Sequence, residues 1–227
     1  MCGIVGYIGS ENTGVSVVTT GLQALEYRGY DSAGVAYFDE GSIQLTKQAG
    51  RVQALVDALG DPTPDSNTAI GHTRWATHGT PTNVNAHPHF NTDKTIMVVH
   101  NGIIENYAEL REKLKSQDYS FVTDTDTEVI PHLLDYYAKQ TDSFQEAFAH
   151  TLKQLRGAYG LLVMTSLDTD HLYAARLGSP LVLGITDDKA LIIASDPAAL
   201  MAHTKQVVYL NDYEYLIAGR DGTHSLH

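Results

Sequence analysis

The residue best suited to chemistry is Cys2, the one cysteine of the 227-residue chain. Met1 precedes a small residue, the context from which an initiator methionine is usually removed, and its removal gives Cys2 a free α-amine. Such an amine has a reference pKa of about 7.7 to 8.0, so it can take the proton of the neighbouring thiol near neutral pH. Cys2 can then act as a nucleophile without a catalytic histidine. The alternative is a small buried side chain with no reaction.

The elements that must position this nucleophile can be read from the apolar pattern of the first half. A helix is predicted from the spacing of Val15, Val18, Leu22 and Leu25, ending at Arg28-Gly29. A second helix is predicted at 51–59, and strands are predicted at 5–8, 33–38, 43–47, 69–75 and 95–100. The polar segment 76–94 has little periodicity, and a loop of this length inside a domain is more often functional than idle.

The second half adds three predicted helices and a series of strands. The helices are expected at 104–114, 126–137 and 144–155, and Thr125 with Glu128 and Ser143 with Glu146 have the pattern of capping boxes. Strands are predicted at 160–165, 171–175, 181–185, 190–194, 207–209 and 213–217. Their connections are too short for helical crossovers, so these strands should be antiparallel. Continuous apolar runs indicate sheets covered on both faces, which favours a layered α+β fold.

The composition of the chain excludes several classes of partner. The chain has 43% hydrophobic residues and a net charge of −12, from 15 Lys and Arg against 27 Asp and Glu. An acidic chain repels phosphate backbones and anionic membrane surfaces, so we expect no nucleic acid or membrane partner. No stretch reaches the ~20 apolar residues of a membrane span, and no export signal is recognisable. One cysteine allows no internal disulfide, which agrees with a cytoplasmic location.

Five motifs, in this order along nearly the whole chain, resemble those of the class II glutamine amidotransferases: MCGIVGYIG, LEYRGYDSAG, GHTRWATHG, HNGIIENY and TDTEVI. The chain closely resembles the glutaminase domain of the glutamine:fructose-6-phosphate amidotransferases. This resemblance implies the N-terminal-nucleophile hydrolase fold, a four-layer α/β/β/α sandwich of two antiparallel sheets. It also implies attack by Cys2 on the side-chain amide of L-glutamine, giving glutamate and ammonia.

The resemblance assigns the oxyanion of this reaction to Asn101, through its side-chain amide, and to Gly102, through its backbone N–H. Donors aimed at the oxyanion typically lower the barrier by ~3 to 4 kcal/mol each. The pair follows the predicted strand 95–100, and we therefore expect it at the strand end. An isolated Asn-Gly pair would instead indicate an ordinary turn.

Glutamine also carries a carboxylate and an ammonium. The resemblance places the carboxylate on Arg74, whose guanidinium can donate two parallel hydrogen bonds, and places Thr77 and His78 close by. The ammonium is assigned to Asp126 at a predicted helix start, where an acid would also interact favourably with the helix dipole. Asp124 lies outside the matching motif.

Three further residues receive roles. Trp75 lies in a segment that the family uses as a mobile flap, and it would form a gate between glutamine and the route of ammonia; a core aromatic is the alternative. Arg28 would support the N-terminus or form a surface salt bridge. His87 is a candidate for the glutamine pocket, since the histidines show no zinc-protease spacing and we expect no metal or other cofactor.

The sequence is expected to form one glutaminase domain over 1–227, without the sugar-phosphate isomerase domain that binds fructose 6-phosphate in the family. The sequence is also compatible with a homodimer. One alternative is the glutaminase domain of an amidophosphoribosyltransferase, although that family more often has tyrosine and serine in place of Trp75 and Ala76. The other alternative is an inert binding or regulatory domain of the same fold.

Overall fold

The computed structural model describes residues 2–75, 80 and 82–227. Within these residues the helices are α1 (Gly14–Ala24), α2 (Val52–Leu59), α3 (Tyr107–Lys115), α4 (Val129–Ala138) and α5 (Phe144–Leu152). The strands are β1 (Gly3–Ile8), β2 (Ser32–Asp39), β3 (Ser42–Ala49), β4 (Thr68–Arg74), β5 (His89–Phe90), β6 (Ile96–Ile104), β7 (Gly157–Thr165), β8 (Asp168–Leu177), β9 (Val182–Ile185), β10 (Leu191–Ala194), β11 (Gln206–Tyr209), β12 (Tyr215–Gly219) and β13 (His224–Leu226). Short 3-10 helices span Glu26–Arg28 and Pro197–Ala199.

The strands of the described residues form two sheets. One has seven strands in the order β11-β9-β10-β1-β4-β2-β3, and the other has six in the order β13-β12-β8-β7-β6-β5. All pairings between these strands are antiparallel. The prediction of antiparallel strands in the second half is therefore confirmed.

Three separate apolar layers hold the fold together. Helices α1 and α2 cover the outer face of the seven-stranded sheet, with Val18 and Leu22 in that layer. Helices α3, α4 and α5 cover the six-stranded sheet, with Phe148 at the centre of their layer. A third apolar layer, which includes Ile4 and Leu162, fills the space between the sheets. This α/β/β/α arrangement confirms the expected α+β sandwich.

Alternation along β4 and β6 decides which side chains face the space between the sheets. Ile70 on β4 belongs to the layer between the sheets, so the period of two carries His72 and Arg74 to the same face. Met97 and Val99 on β6 likewise belong to that layer, which places Asn101 on the inner face of the opposite sheet. Two sheets thus direct polar residues toward each other at one end of the sandwich.

Strand β6 extends beyond its predicted end. It was expected over 95–100 with the Asn101-Gly102 pair at its end, but it continues to Ile104. The ladder with β7 pairs Asn101 with Gly160 and Gly102 with Tyr159, so the Asn-Gly pair lies inside a paired strand. The turn signal is overridden by tertiary pairing, and α3 consequently begins at Tyr107 rather than at 104.

One of the two predicted capping boxes is wrong. Helix α4 begins at Val129, and neither its cap residue Glu128 nor Thr125 makes the expected side-chain cap. The Glu128 carboxylate instead accepts hydrogen bonds from the backbone N–H groups of Val122 and Thr123 in the preceding loop, both at 2.8 Å. In the other box, the Ser143 hydroxyl accepts from the Glu146 N–H at 3.2 Å, as predicted.

The short strands β5 and β13 were not predicted. Strand β5 has two residues within the polar segment 76–94, where His89 pairs with Val98. Strand β13 has three exposed residues beside β12. Neither is long enough to show an apolar period. In the described part of the chain, no helix has both the length and the apolar character that crossing a membrane would require.

Candidate active site

A cavity of about 280 Å³ opens beside the start of β1. Its lining combines residues from the motifs with residues from the loop after β8: Cys2, Arg28, Trp75, Asn101, Gly102, Ile103, Ser179 and Pro180. Cys2 directly precedes the first strand of the seven-stranded sheet, whereas Asn101 and Gly102 belong to the six-stranded sheet. The cavity therefore brings the candidate nucleophile and the candidate oxyanion donors together.

The Cys2 thiol is half-buried and contacts the backbone that follows β4. The Trp75 N–H donates a hydrogen bond to Sγ at 3.2 Å, and Sγ lies 3.6 Å from the Trp75 carbonyl oxygen. Burial raises the pKa of the thiol, while the Trp75 N–H and the charge of Arg74 act in the opposite direction. The protein environment alone therefore does not make Cys2 a low-pKa thiolate, and a base must remove its proton.

The side-chain amide of Asn101 is oriented toward Cys2. Its Nδ2 donates a hydrogen bond to the Cys2 carbonyl oxygen at 3.1 Å, and its Oδ1 lies 3.1 Å from Nε2 of His72. Asn101 is 9% exposed, so the amide is held within the protein rather than in solvent. This arrangement presents an N–H donor on the side of the nucleophile.

Gly102 has a backbone conformation that other residues rarely adopt. Its φ is 131°, and a Cβ at this position would overlap the carbonyl oxygen of Ala158. Glycine alone combines this φ with so close an approach of the neighbouring strand β7. The residue type expected from the Asn-Gly motif is therefore required by the backbone itself.

Arg74 ends β4 and is 4% exposed. Burial lowers the pKa of its guanidinium, whereas the charges of Cys2, Asp126 and Asp31 raise it. Its Nη1 lies 3.5 Å from the Thr80 carbonyl oxygen, and its own carbonyl accepts the Asp31 N–H at 3.0 Å. A buried arginine near the nucleophile is suited to bind an anionic group.

Asp126 lies three residues before α4, so it is not in the first turn of that helix. The helix-dipole explanation for this acid is therefore wrong. Its Oδ2 accepts a hydrogen bond from the Ile104 N–H at 2.7 Å, which ties the acid to the end of β6. Asp126 is 7% exposed, and its charge acts on Arg74. The two predicted charge partners are thus neighbours in the fold.

Trp75 and Arg28 both line the cavity. Trp75 is 46% exposed, so it is not a core aromatic, and its ring meets Tyr30 edge-on at 5.7 Å between centroids. Arg28 forms an ion pair with Asp196 at 2.6 Å between Nη2 and Oδ2. Both partners of this pair are largely buried, so it is a fixed wall of the cavity rather than a mobile surface contact.

Four buried histidines form a cluster behind Asn101. His87 stacks on His72 at 4.1 Å between ring centroids, and its Nε2 lies 3.1 Å from Thr127 Oγ1. The ring of His89 meets that of His87 edge-on, and Nδ1 of His100 lies 3.0 Å from the same Thr127 oxygen. Burial lowers the pKa of all four, which keeps them neutral near pH 7. The contact of His87 with glutamine stays a prediction.

Thr77 and His78, which were predicted to lie near the carboxylate, fall outside the described residues. In the part of the chain that is described, no three His, Cys, Asp or Glu side chains are grouped to hold a metal ion.

The prediction from sequence missed several residues of the site. His72 contacts Asn101 directly, and Ser179 and Pro180 line the cavity. A signal for His72 was present, because it lies two residues before Arg74 and the strand period places both on one face. No local pattern marks Ser179 or Pro180, which the fold brings to the site from a distant loop.

Comparison with known proteins agrees with this geometry. The family model described as a glutamine amidotransferase domain matches residues 72–202, more than half of the chain. The chain belongs to the class II glutamine amidotransferase family.

Among members of this family, glutamine--fructose-6-phosphate aminotransferase from Clostridium acetobutylicum is 46% identical over 222 residues, covering 98% of this chain and 36% of that enzyme. The enzyme of the same name from Pyrococcus horikoshii is 48% identical over 221 residues, covering 97% of this chain and 37% of the relative. The chain thus spans little more than a third of the length of these relatives.

A solved structure of the family gives the same fold. Glutamine phosphoribosylpyrophosphate amidotransferase from B. subtilis, complexed with ADP and GMP, superposes with a TM-score of 0.84 at 26% identity. The match covers 100% of this chain and 49% of the other. The amidotransferase form of the N-terminal-nucleophile fold, expected from the motifs, is therefore confirmed.

Proposed function

We propose that this domain hydrolyses the side-chain amide of L-glutamine through the thiol of Cys2. The observation that carries the proposal is the shared cavity of Cys2, Asn101 and Gly102, in which the Asn101 amide N–H is directed toward the nucleophilic residue. An amide carbonyl placed there would meet a thiol on one side and N–H donors on the other. That combination is what acyl transfer to a nucleophile requires.

In the proposed reaction the α-amine of Cys2, free after removal of Met1, takes the thiol proton. The sulfur then attacks the amide carbon of glutamine, and the carbonyl electron pair moves to the oxygen, which Asn101 Nδ2 and the Gly102 N–H would stabilise. The C–N bond breaks as the ammonium of Cys2 returns the proton to nitrogen, releasing ammonia. Water attacks the thioester, giving glutamate and restoring the thiol.

Two charges would hold the substrate. Arg74 would bind the α-carboxylate, and Asp126, whose charge acts on Arg74, would bind the α-ammonium. Their burial supports this assignment, because both ionic contacts would be made away from competing water. Thr77, His78 and His87 would complete the pocket, Trp75 would gate it, and Arg28 would support the N-terminus.

We further propose that residues 1–227 act as the glutaminase domain of an enzyme that transfers ammonia to fructose 6-phosphate in a sugar-phosphate isomerase domain. The two glutamine--fructose-6-phosphate aminotransferases described above are 46% and 48% identical to this chain, whereas the phosphoribosylpyrophosphate enzyme is 26% identical. The difference in identity favours fructose 6-phosphate as the acceptor, and the paired thiol and amide donor favour an active domain over an inert one.

The test compares four proteins for glutamate formation from glutamine: the processed wild type, wild type with Met1 retained, Cys2→Ala and Cys2→Ser. The N-terminal residue of each is verified by intact mass. We expect activity in the processed wild type alone, because the other three lack either the amine base or the thiol. Full activity of Cys2→Ala or of verified Met1-retaining protein would contradict the mechanism.

A further inference from the structure

Asn101 can serve an oxyanion only if its amide nitrogen, rather than its amide oxygen, is directed toward Cys2. The two ends of a side-chain amide have nearly the same shape, so packing alone does not choose between them. The choice must come from a hydrogen-bonding neighbour with a defined proton. The buried neighbour of the Asn101 amide oxygen is His72, whose role in the reaction the motifs leave unassigned.

The protonated nitrogen of His72 is fixed by a backbone carbonyl. Nε2 lies 3.1 Å from the carbonyl oxygen of His100, which can only accept a hydrogen bond. Among the described residues, Nδ1 has no hydrogen-bond partner. A proton on Nδ1 would bury an unpaired donor and turn the Nε2 lone pair toward the His100 oxygen, so the proton belongs on Nε2.

With the proton on Nε2, His72 is compatible with only one orientation of the Asn101 side-chain amide. Nε2 lies 3.1 Å from Oδ1 of Asn101, so its N–H is shared between this oxygen and the carbonyl of His100. A flipped amide would place two N–H donors against each other at His72, and its oxygen would face the Cys2 carbonyl oxygen, now 3.1 Å from Nδ2. Both contacts would be repulsive.

The ring of His72 is itself held in place. It is fully buried on β4 and stacks on His87 with an angle of 24° between the ring planes. Burial lowers the pKa of His72 to about 3, so it remains a neutral ring with a single N–H throughout the neutral range. The orientation of Asn101 therefore does not depend on pH in that range.

We infer that His72 is a positioning residue for the reaction, which holds the Asn101 amide with its nitrogen toward the developing oxyanion. The inference rests on the proposed glutaminase function. Its expected signature is a fall in kcat with little change in KM for glutamine, because the hydrogen bond from His72 acts on the oxyanion donor Asn101 rather than on the groups proposed to bind the substrate charges.

The activity test uses processed His72→Leu and His72→Gln. Leucine removes the donor, and we expect kcat to fall about 10- to 100-fold, up to the range for loss of one oxyanion donor. Glutamine can place an N–H near the position of Nε2, and we expect it to recover most of the activity. His224→Leu, which removes an exposed histidine of β13, is the control and should stay within about twofold of wild type.

A double-mutant cycle separates positioning from general damage to the fold. If His72 acts through Asn101, then His72→Leu should lower kcat no further in an Asn101→Ala background. An equal loss in both backgrounds, or wild-type kcat in a folded His72→Leu protein, would overturn the inference.

The tautomer provides a readout that does not need catalysis. Nitrogen NMR of ¹⁵N-histidine-labelled protein, with His72 assigned by the signal missing from His72→Leu, should show a neutral ring protonated at Nε2 from pH 6 to 8. A proton on Nδ1 would refute the inference even in an active protein. Absence of glutamine hydrolysis by the processed wild type would refute the proposed function. The tautomer measured by NMR would still show whether His72 can orient the Asn101 amide as inferred.

Discussion

The backbone N–H of Trp75 donates a hydrogen bond to Sγ of Cys2 at 3.2 Å, across 73 positions of the sequence. This contact joins the candidate nucleophile to the residue that follows Arg74, so the thiol and the end of β4 fix each other's position. A shift of the segment after β4 would therefore change both the environment of sulfur and the position of the guanidinium.

The first prediction concerns the ionisation of Cys2. Burial raises the pKa of its thiol and the charge of Arg74 lowers it, so removing that charge should raise the pKa further. A higher pKa leaves less thiolate at any pH below it, and alkylation slows accordingly. We expect Arg74→Gln to react more slowly with iodoacetamide at pH 8 and to shift the pH profile upward, as followed by intact mass.

Arg51→Gln is the matched control, since its side chain is 70% exposed and pairs with Glu26. Its alkylation profile should overlay that of the wild type. An unchanged or lowered midpoint in Arg74→Gln would show that the Arg74 charge does not act on the thiol.

Arg74→Lys tests the proposed carboxylate contact. Lysine keeps the positive charge but loses the paired N–H groups that match a carboxylate. We expect KM for glutamine to rise about tenfold or more, equivalent to ~1.4 kcal/mol, with a smaller change in kcat. Steady-state kinetics on processed protein give both values, and an unchanged KM would remove Arg74 from the substrate site.

Asp126→Asn should separate the effect of the Asp126 charge from that of its hydrogen bond with the Ile104 N–H. The amide oxygen of asparagine can still accept the Ile104 N–H, so the melting temperature should stay within a few degrees of wild type. Loss of the negative charge should nevertheless raise KM for glutamine about tenfold or more. Asp124→Asn, two residues earlier and exposed, is the control and should leave KM unchanged. Equal effects of the two changes would contradict the assignment of Asp126.

Gly102→Ala should be costly for a reason that Gly41→Ala does not share. Both glycines have positive φ, 131° and 82°, but a methyl group meets the Ala158 carbonyl oxygen at Gly102 and open space at Gly41. Urea unfolding should show a loss of about 1 kcal/mol for Gly41→Ala and at least 2 to 3 kcal/mol for Gly102→Ala. Similar losses at both positions would mean that β6 and β7 can separate there without difficulty.

The elements that the sequence predicted well are those with long apolar runs. The helix around Val18 and Leu22 and the strands of both sheets lie close to their expected positions. Two local signals were wrong because tertiary pairing overrode them. Asn101-Gly102 has the composition of a turn but continues the ladder with β7, and Glu128 binds the preceding loop instead of capping α4 with Thr125.

The site was predictable to the extent that its residues carry distinctive chemistry. Cys2 could be selected by its chemistry, and Arg74 and Asp126 through the resemblance of their motifs; the charges of Cys2 and Asp126 both act on Arg74 in the structure. The strand period places His72 on the same face as Arg74, but its positioning role is recognised only when the acceptors at its Nε2 are known. Ser179 and Pro180 reach the cavity only through the folding of the whole second sheet and its loops.

The position of β1 has a consequence for folding. One of the two neighbours of this strand is β10, where Val5 pairs with Ala194. The Ile4 N–H, two residues from the thiol, bonds to Ser195 Oγ across 191 positions. Contacts so distant in sequence form late. The backbone beside the candidate nucleophile is thus held in place only after β10 and the residue that follows it have joined β1.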